Sequence, residues 1–303
     1  MAARPPPELP EEIVEEILAR FPPDDPAHIV RAALACKRWC GLVSGPGFRR
    51  RIREIHPTPP VLGFLRSGIH GYDGANSVRF VPAWPSRRPR ADRRGWRALD
   101  SRNGLVLLRG EWWVNNSPEA LAIWDPVTDE LWKLPSPPRF PDLHDFSAAV
   151  LCAAATAGCC GHLDCRREPF LVVIVAARPA GAFAYVYTSE ADAWSEPTSA
   201  PHSALLSEGV IPAHERVRPA HAGNSLYFVL MVNTVTRILK YNLSTREITG
   251  IQQPPMLHGH DGITVLTTAE GGGLGCVRLE GSRLHLWSRE VGPHGGVGTN
   301  ESH

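Results

Sequence analysis

An apolar run of membrane-spanning length is missing from this chain. The strongest run, residues 170–177, falls far short of the ~20 residues a helix needs to cross a bilayer, and its β-branched content reads as a buried strand. Charge of one sign is equally scarce. The 32 lysines and arginines face 31 aspartates and glutamates, so no overall field draws the molecule to nucleic acid or anionic lipid, and any basic function must be local. Nor is there a disulfide framework. The seven cysteines are an odd set scattered from Cys36 to Cys276, which is the pattern of reduced thiols. The opening Met1-Ala2-Ala3-Arg4-Pro5-Pro6-Pro7 has no apolar segment behind its positive charge, so a secretory signal is not expected there. Catalytic signatures are lacking too. No GxSxG elbow, Walker-type loop or HExxH pair occurs, and the thirteen histidines are spread along the chain. A soluble protein of the cytoplasm or nucleus is expected, without catalysis, cofactor or membrane partner.

What is present divides in two. Residues 8–56 read as helical and residues 57–291 as strands and turns, with the proline-rich His56-Pro57-Thr58-Pro59-Pro60 as the linker. The fold class is therefore α+β and multidomain: a small all-α domain followed by an all-β, propeller-like domain. In the first segment Pro10 suits a helix start, and Glu11 and Glu12 complement the helix dipole. Ile13, Val14, Ile17, Leu18 and Phe21 then recur at helical spacing until Pro22-Pro23. Asp25-Pro26 reads as the start of a second helix carrying Ile29, Val30, Ala33 and Leu34. A third carries Cys36, Trp39, Leu42 and Val43 and stops at Ser44-Gly45-Pro46-Gly47. Three or four short helices enclose little core, so this unit is expected to gain stability by docking surplus apolar surface on a partner.

Beyond residue 60, short apolar strands alternate with glycine, proline, asparagine and aspartate turns; candidates include residues 61–65, 78–82, 105–108, 121–124, 170–176, 225–231, 238–241, 276–279 and 284–287. Three phrases share one pattern: Leu121 to Trp132, Ala184 to Trp194 and Ile238 to Ile248. Each is an apolar strand ending on an aromatic residue, then a polar turn, then a short second strand. Asn103-Gly104 and Gly223-Asn224 are strand-to-strand turn signals. Such hairpins at intervals near ~40 to 50 residues predict a β-propeller or related array, with the ring closed or left incomplete. The glycine-rich residues 292–303 show no periodicity and are expected to be a disordered tail.

Leu9-Pro10-Glu11-Glu12-Ile13-Val14-Glu15-Glu16-Ile17-Leu18, followed by Arg31-Ala32-Ala33-Leu34-Ala35-Cys36-Lys37-Arg38-Trp39, resembles the F-box family. Trp124-Asp125-Pro126, Ala193-Trp194-Ser195, Gly223-Asn224-Ser225-Leu226-Tyr227-Phe228 and Leu286-Trp287-Ser288 resemble the F-box-associated propeller-type domain of large plant families, those of grasses in particular. The resemblance implies docking on a Skp-type adaptor that links the chain to a cullin and a RING subunit, with an unidentified client held by the β domain. It places the docking positions at Leu9, Pro10, Ile13, Ile17, Leu18, Ile29, Val30, Leu34, Cys36 and Trp39, some of which must pack internally instead; Leu9-Pro10 and Trp39 are the better candidates for contact.

Other constellations have a plainer reading beside the sharp one. Cys159, Cys160, His162 and Cys165, near Cys152, carry zinc-type ligands but lack a second paired spacing, so free thiols in a turn are favoured over a metal site. The arginine-rich stretch from Ser86 to Arg94, flanked by Trp84 and Trp96, has the chemistry of a nucleic-acid contact, though a solvated loop is the commoner use. His258, His260 and Asp261 read as a loop rather than an acid-base cluster, and one of Trp112 and Trp113 as a recognition residue. The rival class is a sugar-binding, small-molecule-binding or hydrolytic propeller, whose mark would be carboxylates converging on a central pocket.

Overall fold

The structure is a computed structural model and describes residues 9–23, 27–56, 61–70, 75–83, 92–111, 120–137, 146–154, 169–178, 181–201, 217–232, 235–251, 263–269, 272–289 and 299–302. The chain divides into two compact units, residues 1–66 with 79–91 and residues 67–78 with 92–303.

Among the described residues the first unit holds four helices: α1 (Glu11–Ala19), α2 (Ala27–Ala35), α3 (Lys37–Ser44) and α4 (Pro46–Ile55). Pro10 is the N-cap of α1, where its missing N–H matters least, and its carbonyl accepts the first helical bond from Val14 N at 3.1 Å. Asp25 and Pro26, the expected start of α2, lie outside the described residues. Cys36 caps α3, its Sγ accepting from Trp39 N at 3.4 Å. The Gly45-Pro46 step that ends α3 also begins α4, with Pro46 in the first turn. Val14, Leu18, Ala19, Ala32 and Phe48 make the core, and Phe21, Ile29, Trp39, Leu42, Val43, Ile52 and Ile55 pack against it. Five buried side chains among the described residues are few, as the segment's length requires.

Among its described residues the β region has five sheets. The first holds β1 (Gly63–His70), β2 (Ala75–Pro82) and β3 (Arg93–Arg94) in that order. The second holds β4 (Trp96–Arg102), β5 (Leu105–Gly110), β6 (Leu121–Trp124) and β7 (Leu131–Lys133). The third holds β8 (Phe146–Cys152), β9 (Phe170–Arg178), β10 (Gly181–Thr188) and β11 (Ala193–Trp194), with β12 (Thr198–Pro201) also paired to β10. The fourth holds β13 (Ala220–Ala222), β14 (Ser225–Val232), β15 (Val235–Asn242) and β16 (Ile248–Ile251). The fifth holds β17 (Ile263–Thr268), β18 (Leu274–Glu280), β19 (Arg283–Arg289) and β20 (Thr299–Ser302). Consecutive hairpins building each sheet in turn define a five-bladed, propeller-like fold.

The alternation of strand side chains explains why the sheets stack. In the third sheet Ala149, Leu151, Val173, Val175, Ala184 and Val186 pack on Leu226, Phe228 and Leu239 of the fourth. Their neighbours Ala148, Val150, Val172, Ile174, Tyr185 and Tyr187 pack on Leu105, Leu107, Leu121 and Ile123 of the second. Both faces are therefore apolar, and the strands read as continuous hydrophobic runs. The fourth sheet repeats the arrangement, turning Tyr227, Val229 and Ile238 to Leu266, Cys276 and Trp287 of the fifth. The fifth leaves Val265, Leu279, Leu284 and Leu286 exposed.

Among the strands that went unmarked in the sequence, β4 and β8 have identifiable reasons. β4 interleaves Arg97, Asp100 and Arg102 with apolar residues, and β8 is alanine-containing and lacks β-branching except at Val150. Residues 299–302, expected within a disordered tail, instead form β20 and pair with β19 from Leu286↔Ser302 to Arg289↔Thr299. Backbone hydrogen bonding to a waiting strand does not require an apolar pattern, so periodicity carried no signal of it.

The three repeated phrases form one turn. Asp125 Oδ1 accepts from Val127 N at 2.8 Å and Thr128 N at 3.3 Å, and Asn242 Oδ1 accepts from Ser244 N at 2.9 Å and Thr245 N at 3.0 Å. The fifth turn residue is left-handed in all three: Asp129 (φ 71°), Asp192 (φ 48°) and Arg246 (φ 58°). In two of them that aspartate also satisfies the aromatic residue ending the strand. Trp124 Nε1 donates to Asp129 Oδ1 at 3.0 Å and the Tyr187 hydroxyl to Asp192 Oδ1 at 2.7 Å; burial, with Asp192 beside it, pushes the Tyr187 phenol up to about 12. The third turn has Arg246 there, and the buried Tyr241 hydroxyl has no hydrogen-bond partner among the described residues. Arg246→Asp is therefore expected to raise stability by about 1 kcal/mol, by supplying that acceptor and a residue that tolerates left-handed backbone better. Urea unfolding of the two proteins checks it, and the gain should vanish in a Tyr241→Phe background.

Candidate functional site

The helical unit keeps few apolar residues inside and leaves many outside. On α1 and the residues leading into it, Leu9, Ile13 and Ile17 follow one another at steps of four and so share one face; they are 52%, 48% and 48% exposed. Val14 and Leu18 hold the opposite, core-facing row. α2 repeats the division, with Val30 and Leu34 exposed at 54% and 80% and Ala32 buried. Branched apolar side chains kept in water at one-turn intervals on two successive helices are a surface built to be covered.

Of the ten docking positions expected from the sequence, the structure leaves Leu9, Pro10, Ile13, Ile17, Val30 and Leu34 open to solvent. Leu18 is 2% exposed and belongs to the internal cluster with Val14, Ala19, Ala32 and Phe48. Ile29 and Trp39 spend part of their surface on the same internal cluster. Cys36 is exposed, with its sulfur engaged as the α3 cap.

Polar ties hold the face in position. Arg38 Nε reaches Glu11 Oε1 at 3.1 Å and its Nη2 donates to the Leu9 carbonyl at 3.1 Å, fastening the start of α1 to α3. Arg51 Nη2 meets Glu16 Oε2 at 2.8 Å, Arg20 Nη2 meets Glu16 Oε1 at 2.8 Å, and Arg51 Nη1 meets Glu54 Oε2 at 3.0 Å. Sequence reasoning had no signal for these, since the cross-helix partners stand 27 and 35 positions apart. The hydrogen bonds from Arg51 and then Arg20 hold the Glu16 carboxyl below the ordinary glutamate range. A depressed folded-state value contributes stability above the unfolded value, and that stability is lost as pH falls through the folded one. The α1–α4 tie should thus be complete at neutral pH and weaken under acid conditions. Thermal melts across the acid limb are expected to show a shallower pH slope for Glu16→Gln than for the native chain.

The remaining sequence candidates resolve unevenly. Cys159, Cys160, His162, Cys165, His258, His260, Asp261, Trp112, Trp113, Trp84 and residues 86–91 lie outside the described residues. Among the described residues no three histidine, cysteine, aspartate or glutamate side chains are placed to hold a metal ion. Cys152 is buried, and burial pushes the Cys276 thiol up to about 12, which makes it a core side chain. Arg93, from the arginine-rich stretch, is committed to structure: its guanidinium lies 4.7 Å above the Trp124 ring and bonds Asp129 Oδ1 at 2.6 Å.

Asp100 is the buried carboxylate nearest to what a hydrolytic propeller would need. It accepts from Val150 N at 3.0 Å and Arg102 Nε at 2.9 Å, and Arg102 Nη2 in turn donates to the Pro219 carbonyl. Burial raises its pKa, while Arg102 and Val150 oppose the rise. Its oxygen is used to join β4 to β8, so it acts as a tie between sheets. No described helix is long and apolar enough to cross a membrane.

The F-box domain family matches residues 7–51, the four-helix segment that bears the exposed face. The chain thus carries an F-box domain at its amino terminus, ahead of the propeller-like β domain. No curated protein matches the chain. Among solved structures, TolB from Acinetobacter baumannii is 9% identical over 84% of this chain, with a TM-score of 0.41. The Dos1 propeller is 10% identical over 75% of the chain with a TM-score of 0.40, and Kuenenia stuttgartiensis hydrazine synthase 8% identical over 74% with a TM-score of 0.41. The chain covers 57%, 52% and 60% of these three structures respectively.

Proposed function

We propose that this chain is the substrate-recruiting subunit of a Skp–cullin–F-box type ubiquitin ligase. The F-box, over residues 8–56, would seat on a Skp-type adaptor and through it reach the cullin and RING subunits. The β domain, over residues 57–291, would hold a client protein, in the cytoplasm or nucleus. The observation that carries the reading is the solvent-facing row Leu9, Ile13, Ile17, Val30 and Leu34, within the segment that the F-box family matches. An isolated chain gains nothing from leaving these five side chains in water, whereas burying each against a partner contributes about 1.5–3 kcal/mol before the costs of association.

The mechanism is proximity. Holding scaffold and client on one chain raises the effective concentration of a client lysine at the charged conjugating enzyme, so no residue here makes or breaks a bond. Capture of the purified full chain on an immobilised Skp-type adaptor tests the reading. Retention of the folded wild-type chain supports it, and passage without retention counts against it.

A further inference from the structure

Among the described residues, four of the five sheets have at least four strands and the first has three, with β1 at its end. Among the described residues no strand lies on the far side of β1, an edge of eight residues. Protein edges of that length are ordinarily covered, bulged or blunted by inward charge. This one carries an exposed apolar residue instead, Phe64 at 66%, with Val61 and Leu62 exposed just before the strand and Val81 exposed within β2. Arg66, two residues beyond Phe64 and so on the same face of the strand, is exposed and makes no ion pair or hydrogen bond among the described residues.

The backbone is oriented for the same purpose. The Leu62 carbonyl accepts from Ala83 N at 3.1 Å, just past the end of β2, which turns the polar groups of Leu62, Phe64 and Arg66 inward to the sheet. By the alternation of a strand, the N–H and C=O groups of Gly63 and Leu65 point to the open edge.

We propose that this edge binds an extended polypeptide segment as a fourth strand, the segment laying an apolar side chain over Phe64 and, two positions along, a carboxylate on Arg66. Main-chain pairing supplies affinity and the side-chain pair supplies register and selectivity. A second copy of the chain is the poorer occupant, because antiparallel pairing of β1 with itself about Leu65 sets each Arg66 opposite Phe64 and offers neither guanidinium a carboxylate. The site stands apart from the ligase assignment and needs no adaptor to be tested.

The test uses fluorescence anisotropy of the full chain with a fluorescein-labelled, end-capped heptapeptide of alternating valine and threonine, carrying one glutamate two positions from a valine, and a twin peptide with lysine there. Saturable binding of the glutamate peptide is expected, at least tenfold tighter than the lysine peptide. Arg66→Glu should reverse that preference. Leu65→Pro should abolish binding of both, because it removes an N–H from the open edge without removing a bond to β2; if that variant fails to fold, the charge reversal decides alone. No saturable binding up to about 1 mM, or equal affinity for the two peptides with wild type, overturns the proposal. A dimer in sedimentation that Leu65→Pro dissolves also overturns it, and gives the edge to a second copy.

Discussion

Replacing Ile17 by aspartate is expected to weaken binding to a Skp-type adaptor by at least about 100-fold, roughly 2.7 kcal/mol, with the thermal midpoint of the chain nearly unchanged. The two halves of that expectation come from one observation: Ile17 is 48% exposed and stands outside the internal cluster. In the free chain a carboxylate at Ile17 stays hydrated at little cost. In a complex it would be pressed into an apolar contact with no cation to meet it. The neighbouring position supplies the control. Leu18→Ala removes a fully buried side chain from a core of five residues and should cost about 2–5 kcal/mol of stability. Any binding it loses should return in proportion to the folded fraction as temperature is lowered toward the stability maximum. Isothermal titration against the adaptor, read beside thermal melts, separates the cases. Equal adaptor affinity for Ile17→Asp and wild type would remove the docking face from α1.

Trp124→Ala is expected to be the most damaging single change in the β domain, at about 3–5 kcal/mol, a large part of the 5–15 kcal/mol that keeps an ordinary domain folded. Trp124 is among the largest fully buried side chains and stands at the end of β6, where three interactions meet. Its indole N–H satisfies Asp129, Asp129 anchors Arg93, and Arg93 lies over the indole face. Removing the ring leaves a cavity, strips the cation of its aromatic surface and takes a donor from the turn's left-handed residue. Trp124→Phe should recover most of the volume while still losing the hydrogen bond and part of the cation–π contact, so a loss of about 1–2 kcal/mol is expected from it. Arg93→Ala tests the coupling. If the triad acts as a unit, the double variant with Trp124→Phe will lose clearly less than the sum of the single losses, by chemical denaturation.

Much of this molecule was legible in the order of its residues. Helical spacing in residues 11–19 and 27–35, the Pro10 start and the Pro22 stop are local properties of the backbone, and the structure keeps them. The Asn103-Gly104 signal is realised as a left-handed pair at φ 52° and 80° joining β4 to β5, because few other residues enter that region. The repeated aromatic-turn phrase also reads directly, since its hydrogen bonds span only two to five residues. β4, β8 and β20 did not announce themselves: they are held by pairing and burial against distant strands rather than by a period of their own.

The sequence by itself determined the helices of the first segment and the apolar strands of the second, where the turns between them fall, and that the first fifty residues carry more apolar surface than they can enclose. Only the tertiary structure decided which apolar residues remain outside. Ile17 and Leu18 are equally hydrophobic neighbours, and no property of either assigns one to the core and the other to water. That division depends on where α3 and α4 cross α1, and so on contacts such as Arg38 with Glu11 and Arg51 with Glu16, between residues 27 and 35 positions apart. The same holds for Arg93 and Arg66. Both are cations in strands, yet one is folded over an indole and the other is left at an open edge, because charge is written in the sequence while its neighbours are set by packing.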